Sequence, residues 1–342
     1  MINVLIALTV SLLANYCERT TYSFPKDFAF TRRIAWNEER EIEFTISGLK
    51  KRFAWLYGFD TTTGRICRKI QNQVYSEVFS SSHPELYITY DYESTKLKLI
   101  KGNEIMQEYS IKTIIDRKFL CLDSNSFQIC NDDYIAIYAQ IYNKDPDGLW
   151  AEKIVAQPVL IIIDIKLKKL DIVEQSQCQF GASMSLDYND KVVGFYNSSI
   201  YTYNPILKKM ILLTTLPEVN QITDVKNRGD NYFLLLIEKS TSKKTMAIYD
   251  FGSNTLNIVD NDVESFFLGK DFIIYAKSTN NENEVEIIFT KDFSKKISIQ
   301  KVKEPYGFFY YTASPSGRKI AIIKPLHGID IYSMNNEDLK HE

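Results

Sequence analysis

Histidine is scarce in this sequence of 342 residues, and its three copies are His83, His327 and His341. Five cysteines are present: Cys17, Cys67, Cys121, Cys130 and Cys178. They show no CxxC pair and no other metal-ligand spacing, and protein zinc sites are built mainly from cysteine and histidine. Glycine-rich phosphate loops and a GxSxG nucleophile elbow are also missing. We therefore expect no metal, no cofactor and no catalytic residues, and we predict that the chain is not an enzyme.

Glycine and proline are also few, with 13 and 9 residues, which argues against a disordered or low-complexity chain. The net charge is only −2, and lysines alternate with acidic residues instead of forming a basic stripe. Nucleic acid is therefore not expected as a partner. The hydrophobic content of 45% is enough for a globular core, and the aromatic content of 13% is typical of strand-rich chains.

From Thr20 onward the sequence consists of short apolar runs that are rich in Val, Ile, Tyr and Phe. Clusters of Asn, Asp, Gly, Ser or Lys bound these runs, which is the pattern of β-strands separated by turns. No segment keeps a helical repeat of apolar residues over three turns. The sequence therefore predicts an all-β protein.

One pattern recurs along the chain: an apolar strand end, a polar turn and the start of another strand. Its first copy is FDTTTGRI at residues 59–66, and the later copies lie at 163–170, 203–210, 249–256, 289–296 and 332–339. The later copies are 40, 46, 40 and 43 residues apart, a spacing of one propeller blade per repeat. We predict a seven-bladed β-propeller with four-stranded antiparallel blades. Six or eight blades remain alternatives because the second and third units are irregular.

The last of these units supplies only three strands before the sequence stops. An incomplete blade leaves a sheet edge exposed, and closed propellers avoid such an edge. We therefore expect residues 20–24, just ahead of the first complete unit, to pair there as the outermost strand.

The last unit also carries a family resemblance. Residues 312–323 (TASPSGRKIAII) and 329–334 (IDIYSM) resemble the repeat of TolB-like and WD40-like β-propellers, with Ser316 in place of the usual Asp. The resemblance implies a propeller blade and carries no implication about activity. Residues 59–66 also resemble the repeat of quinoprotein propellers, but the Trp of that repeat is missing, so no quinone cofactor is expected.

Residues 1–17 contain an apolar run with the length of the hydrophobic region of a secretory signal. The run is too short to cross a bilayer as a helix. Ala14 offers a small residue for cleavage, Cys17 suggests a lipid-anchored protein, and an ordinary first strand or helix is the remaining alternative. We predict one propeller domain over residues 18–342, exported to the periplasm, cell surface or exterior, with a cytoplasmic location as the alternative.

Two cysteines of the third unit, Cys121 and Cys130, could face each other across a hairpin. In an oxidising compartment they would then form a disulfide. The alternative is a pair of small thiols that are buried or half-buried.

The third unit has a long connection between its second and third strands, at residues 143–158. Long loops in compact domains are often functional, and tryptophan is enriched at interface hot spots. The predicted partner-binding residues are Asp145, Asp147, Leu149, Trp150 and Glu152. Trp150 anchoring the loop is the alternative. The loop also resembles the first half of a calcium site but lacks its final glutamate, so no metal is predicted.

These observations favour a monomeric, non-enzymatic propeller that recognises a protein or a surface ligand through loops on one face. A membrane would be reached only through a lipid on Cys17. The first alternative is an intracellular WD40-type scaffold. The second is a propeller hydrolase or lyase that uses carboxylates and a metal.

Overall fold

The computed structural model describes the chain in segments. These are residues 17–23, 31–37, 39–47, 54–68, 77–80, 86–91, 96–102, 104–110, 119–130, 134–142, 156–174, 185–186, 192–204, 207–228, 230–239, 243–279, 284–291, 293, 295–303, 310–324 and 328–334. Every regular element in these segments is a β-strand, so the prediction of an all-β protein is confirmed. None of the described residues belongs to a helix long and apolar enough to cross a membrane.

The described strands are numbered in chain order. The first fourteen are β1 (Cys17–Ser23), β2 (Thr31–Asn37), β3 (Glu41–Ser47), β4 (Ala54–Asp60), β5 (Ile66–Arg68), β6 (Glu77–Ser80), β7 (Leu86–Asp91), β8 (Lys96–Lys101), β9 (Glu104–Ser110), β10 (Phe119–Cys130), β11 (Tyr134–Tyr142), β12 (Ala156–Asp164), β13 (Lys169–Glu174) and β14 (Ser185–Leu186). The others are β15 (Val192–Tyr196), β16 (Ser199–Asn204), β17 (Lys209–Thr215), β18 (Val219–Arg228), β19 (Asn231–Glu238), β20 (Lys244–Asp250), β21 (Thr255–Asn261), β22 (Val263–Leu268), β23 (Ile273–Ser278), β24 (Glu284–Thr290), β25 (Lys296–Lys303), β26 (Tyr310–Ala313), β27 (Lys319–Lys324) and β28 (Gly328–Met334).

These strands form seven four-stranded sheets, as the sequence predicted. Sheets 1 to 6 follow the chain: β2-β3-β4-β5, β6-β7-β8-β9, β10-β11-β12-β13, β14-β15-β16-β17, β18-β19-β20-β21 and β22-β23-β24-β25. Sheet 7 has the order β1-β28-β27-β26. In sheet 7, β1 pairs antiparallel with β28. The pairing begins with Cys17 opposite Met334 and ends with Ser23 opposite Gly328. The predicted closure by an early strand is confirmed, and the strand begins three residues before the predicted 20–24.

In the five copies from 59–66 to 289–296 the recurring pattern joins the third and fourth strands of a sheet, and most of the copy at 332–339 lies outside the described residues. In four copies an Asp or Asn side chain accepts a backbone N–H from two or three residues further on, at 2.8 to 2.9 Å, and these residues are Asp60, Asp164, Asn204 and Asp250. The residue four positions later has a positive φ, and these residues are Gly64, Lys168, Lys208 and Asn254. Asn and Asp side chains favour such turns because they bond to their own backbone. The repeat seen in the sequence is therefore a repeat of turn chemistry.

Sheet 2 departs from this pattern. Its third and fourth strands, β8 and β9, are joined by a shorter connection at residues 102–103, where Gly102 has φ 59°. No copy of the pattern occurs there, which explains the long gap between the copies at 59–66 and 163–170.

Contacts divide the chain into two compact units, Met1–Ser80 with Val263–Glu342, and Ser81–Asp262. In the first unit sheet 7 is buried on both faces. Ile320, Ile322 and Tyr332 pack with residues of sheet 6. On the other face Ala321, Ile323 and Ile331 pack with Ile42, Phe44 and Phe59 of sheet 1. The prediction of a single domain over residues 18–342 stays a prediction.

In the second unit sheet 4 packs against two other sheets. One cluster joins Val193 and Ile200 of sheet 4 to Ile222 and Leu234 of sheet 5. Another joins Val192 and Tyr203 of sheet 4 to Ala136, Leu160 and Ile162 of sheet 3. Apolar residues from both faces of a strand therefore contribute to the core.

The suggested approach of Cys121 and Cys130 across a hairpin is wrong. Both residues lie on the same strand, β10, where Cys121 pairs with Gln140 and Cys130 with Tyr134. Nine residues of strand span roughly 20–30 Å even with the bulge that β10 contains. A disulfide needs Cα atoms within about 7 Å of each other, so the two cysteines cannot be joined in this fold.

Candidate functional site

The residues predicted to bind a partner lie outside the described part of the chain. They are Asp145, Asp147, Leu149, Trp150 and Glu152, between β11 and β12. The histidines His83, His327 and His341 lie outside it as well. The role of the five loop residues stays a prediction, and the site below is built from other residues.

A polar cluster lies where the connection between β23 and β24 leaves sheet 6, in the first unit. We define it as Glu264, Ser265, Ser278, Thr279, Glu284 and Tyr311, together with Lys277, which precedes Ser278 in β23 and therefore points to the other face of sheet 6. The Ser278 hydroxyl donates to Glu264 Oε1 at 2.6 Å, and the Thr279 hydroxyl donates to Glu284 Oε2 at 3.1 Å. Ser265 Oγ and Tyr311 Oη are 2.8 Å apart. The cluster therefore joins sheet 6 to the first strand of sheet 7.

A β-bulge at the start of β22 shapes this cluster. Val263 pairs with Lys277 and Ser265 pairs with Ala276, so Glu264 is an extra residue without a partner opposite it in the ladder. Bulges redirect side chains and are common near active sites. The bulge lets the two consecutive residues contact different partners, Ser278 for Glu264 and Tyr311 for Ser265.

The groups of the cluster are suited to a polar ligand. Glu264 is exposed and the other six residues are intermediate between buried and exposed. Together they offer four hydroxyls, two carboxylates and one ammonium group. Lys277 lies directly opposite Glu286 in β24, an arrangement in which opposite charges attract across strands. Such a set can bind sugar hydroxyls, hold a carboxylate and transfer a proton.

The cluster does not fit a metal ion. Among the described residues no three His, Cys, Asp or Glu side chains stand close enough together to hold one. The cluster itself contains only two carboxylates, Glu264 and Glu284. The chemistry considered below therefore uses the protein's own side chains alone.

A second polar network, at the opposite end of sheets 1 and 7, is structural. Asp60 accepts hydrogen bonds from Arg40 Nε at 2.9 Å and from the N–H groups of Thr62 and Thr63. The Lys319 ammonium group donates to Thr61 Oγ1 at 3.1 Å, which ties the turn of sheet 1 to sheet 7. Both oxygens of the Asp60 carboxylate are thus used within the chain, which leaves this network no evident role in binding.

Asp60→Ala is expected to lower the free energy of unfolding at neutral pH by about 1 kcal/mol, since two backbone N–H groups lose their acceptor. The hydrogen bond from Arg40, followed by those from Thr63 and Thr62, lowers the pKa of Asp60 from 3.8 to about 2 despite partial burial. A pKa lowered by folding means that the ionised carboxylate stabilises the protein above about pH 4 and stops doing so as the pH falls towards 2. The difference in urea unfolding between wild type and variant should therefore shrink across this range.

The control for this prediction is Asp60→Asn, which keeps the acceptor oxygen of the turn but has no charge. It should retain most of the stability at neutral pH and show a weaker pH dependence than wild type. An Asp60→Ala difference that stays constant from about pH 5 to about pH 2 would contradict the assignment.

Comparisons with known proteins found solved structures but no sequence relatives. No family model matches the chain, and no curated protein matches it. The structure of an oligogalacturonate lyase in complex with manganese matches with a TM-score of 0.70 and 9% identity, covering 98% of both chains. An oligogalacturonate lyase from Vibrio parahaemolyticus matches with a TM-score of 0.68, 9% identity and the same coverage. An acylaminoacyl peptidase from Pyrococcus horikoshii matches with a TM-score of 0.60 and 10% identity, over 92% of this chain and 54% of that one.

These matches correct two predictions made from the sequence. The two structures that match along their full length are those of lyases, and this finding contradicts the prediction that the chain is not an enzyme. The predicted role as a non-enzymatic binding protein, with an intracellular scaffold as its alternative, is contradicted by the same finding. At 9% identity the likeness shows the fold alone. Together with the seven four-stranded sheets, it shows that the chain is a seven-bladed β-propeller.

Proposed function

We propose that this protein is a lyase that cleaves acidic oligosaccharides by β-elimination next to a uronic acid. The proposal is carried by one observation: two oligogalacturonate lyase structures match 98% of this chain over 98% of their own length. The proposed activity belongs to the second alternative that the sequence analysis gave, a propeller hydrolase or lyase. It differs from that alternative in assigning every step to side chains of the polar cluster.

The reaction makes three demands on a site. A base must remove the proton on the carbon next to the carboxylate, a cation must offset the charge that builds up there, and an acid must protonate the leaving oxygen. The carbon–oxygen bond breaks as a carbon–carbon double bond forms, so no water, oxidant or reductant is consumed.

The polar cluster offers one group for each demand. The Lys277 ammonium group can pair with the uronic carboxylate, and the Glu264 carboxylate, which Ser278 holds at 2.6 Å, can accept the proton. The Tyr311 hydroxyl, held by Ser265, can donate a proton to the leaving oxygen. The remaining hydroxyls of Ser278 and Thr279 can bind the sugar ring. We therefore assign Glu264 as the base, Tyr311 as the acid and Lys277, with its long side chain reaching round the end of β23, as the cation.

We expect the purified protein to convert oligogalacturonate into unsaturated products, which absorb ultraviolet light, and to leave a neutral oligosaccharide unchanged. Lys277→Ala, Glu264→Gln and Tyr311→Phe should each lower kcat/KM by about 100-fold, the range typical of a lost acid, base or charge-stabilising group. Lys296→Ala, at an exposed position at the other end of the same sheet, should leave kcat/KM unchanged.

Two outcomes separate errors in the reaction from errors in the site. If the wild-type protein forms no unsaturated product, with or without added manganese, the proposed reaction is wrong. If it does form product and the three variants keep wild-type kcat/KM, the reaction stands and the polar cluster is not its site.

The repeat in sheet 7 supports a finer proposal about the type of propeller. Gly317, in the turn between β26 and β27, has φ 72°, and its N–H bonds to the Ser314 carbonyl at 2.8 Å. This is the turn expected of the TolB-like and WD40-like repeat, and we propose that the blades are of that type. Export of the protein, inferred from residues 1–17, stays a prediction, as does its monomeric state.

A further inference from the structure

Two leucines in the second unit are unusually exposed. Leu167 is 74% exposed and Leu207 is 69% exposed, the highest values for large apolar side chains among the described residues. They occupy the same position in two successive copies of the repeated turn. Asp164 Oδ1 accepts the N–H of Leu167 at 2.8 Å, and Asn204 Oδ1 accepts the N–H of Leu207 at 2.9 Å. The backbone of each leucine is therefore held by a side chain of its own turn.

A single carboxylate holds the two turns side by side. Asp171, in β13 of sheet 3, accepts from Lys208 Nζ at 2.7 Å and lies 3.4 Å from Lys169 Nζ. Lys208 belongs to the turn of sheet 4, whereas Lys169 follows the turn of sheet 3. Its hydrogen bonds to these lysines, chiefly to Lys208, lower the pKa of Asp171. The two leucines thus lie at neighbouring points of one surface.

Several lysines are neighbours of the two leucines in the sequence. The exposed lysines of the two turns are Lys166, Lys168, Lys169, Lys208 and Lys209. Only two carboxylates, Asp164 and Asp171, accompany these five lysines. We call the described residues of the two turns, 164–171, 204 and 207–209, the leucine–lysine surface. Its side chains combine projecting aliphatic tips with an excess of positive charge.

The corresponding turn of sheet 5 is different. Its apolar residue, Phe251, lies near the rings of Tyr232 and Tyr249, with ring centroids 6.4 Å apart in each case. That turn, residues 251–254, contains no lysine. The residue at the position of the two leucines is Ser253. Exposed leucines beside lysines therefore occur in the turns of sheets 3 and 4 and not in that of sheet 5.

We propose that the leucine–lysine surface binds to an anionic lipid surface. Exposed aliphatic side chains ringed by lysine suit the boundary of a bilayer, where the apolar tips enter and the ammonium groups meet lipid phosphates. Protein interfaces are instead depleted in lysine, and their hot spots are rarely leucine. A sugar polymer would meet the lysines but would gain little from two projecting leucines. The proposal does not depend on the enzymatic function proposed above.

The test is co-sedimentation of the full-length protein with lipid vesicles. We expect binding to phosphatidylcholine vesicles that contain roughly 30% phosphatidylserine, and none to phosphatidylcholine alone. The Leu167→Ser/Leu207→Ser variant should bind the anionic vesicles at least about tenfold more weakly, because two apolar side chains no longer enter the bilayer. Lys168→Gln/Lys209→Gln should also weaken binding and reduce its dependence on salt.

Matched controls keep the test specific. The control residues Leu212 and Ile258 are also apolar and exposed, at 52% and 49%, and they lie on strands of the same unit. Leu212→Ser/Ile258→Ser should bind like wild type. The proposal is overturned if wild type does not bind anionic vesicles, or if the double leucine variant binds as tightly as wild type. Binding to polygalacturonate without binding to vesicles would overturn it as well.

Discussion

Asp330→Ala is expected to lower the free energy of unfolding by about 3 kcal/mol, one of the two largest effects that we predict. The Asp330 side chain is 2% exposed and forms an ion pair with Arg19 at 3.0 Å, and its other oxygen accepts from the Thr21 hydroxyl at 2.8 Å. Both partners are on β1, whereas Asp330 is on β28. Removing one member of a buried pair leaves the other charge without compensation. Arg19 keeps 24% exposure, so we place the loss at the low end of the usual range.

This prediction is checked by urea unfolding of the variant together with Arg19→Ala and the double variant. If the pair acts as a unit, the double variant should lose clearly less than the sum of the two single variants. Asp330→Asn should fall between wild type and Asp330→Ala, since it keeps one acceptor for Thr21. Strict additivity of the two single effects would show that the ion pair is not what stabilises this part of sheet 7.

Gly328→Ala is expected to be at least as damaging, with a loss of about 3 kcal/mol or failure to fold. Gly328 begins β28 with φ 146°, a conformation that residues with a side chain rarely adopt. A Cβ atom there would lie 2.0 Å from the carbonyl oxygen of Tyr22 in β1. Because the obstacle is backbone, no change of rotamer can relieve the overlap, and β1 would have to move away from β28.

Gly102→Ala is the matched control. Gly102 also has a positive φ, 59°, but a Cβ atom there would meet nothing within 4 Å. Its substitution should cost only the strain of the left-handed conformation, about 1 kcal/mol. Equal losses for the two variants, measured by thermal unfolding, would mean that the contact with Tyr22 is unimportant.

Much of the fold could be predicted because its turns repeat their chemistry. The copies at 163–170, 203–210 and 249–256 share an Asp or Asn that bonds to its own backbone, and this is visible in the letters of the sequence. The short connection of sheet 2 contains no copy of this pattern, so the sequence alone could not decide between six, seven and eight blades. The position of Cys130 was misjudged because β10 runs on through a bulge to that residue, and bulges have no reliable sequence signature.

The candidate site was less accessible to prediction. Ser265 and Tyr311 are 46 residues apart and meet only because sheets 6 and 7 pack together. Glu264 is set apart by a bulge that depends on pairing with β23. A polar residue at the start of a strand was the one available signal, and it is common to many strands. The sequence has no nucleophile motif and no metal-ligand spacing, and the β-elimination that we propose needs neither of them, so it left no recognisable motif.

The pairing of β1 with β28 has a consequence for synthesis in the cell. On the ribosome β1 emerges about 300 residues before its partner exists, so it must wait while the intervening sheets form. Closing so long a loop is slow compared with forming a hairpin within one sheet. During that delay both unpaired edges are open to wrong partners, and a chaperone that shields β1 would act on the nascent chain at this stage.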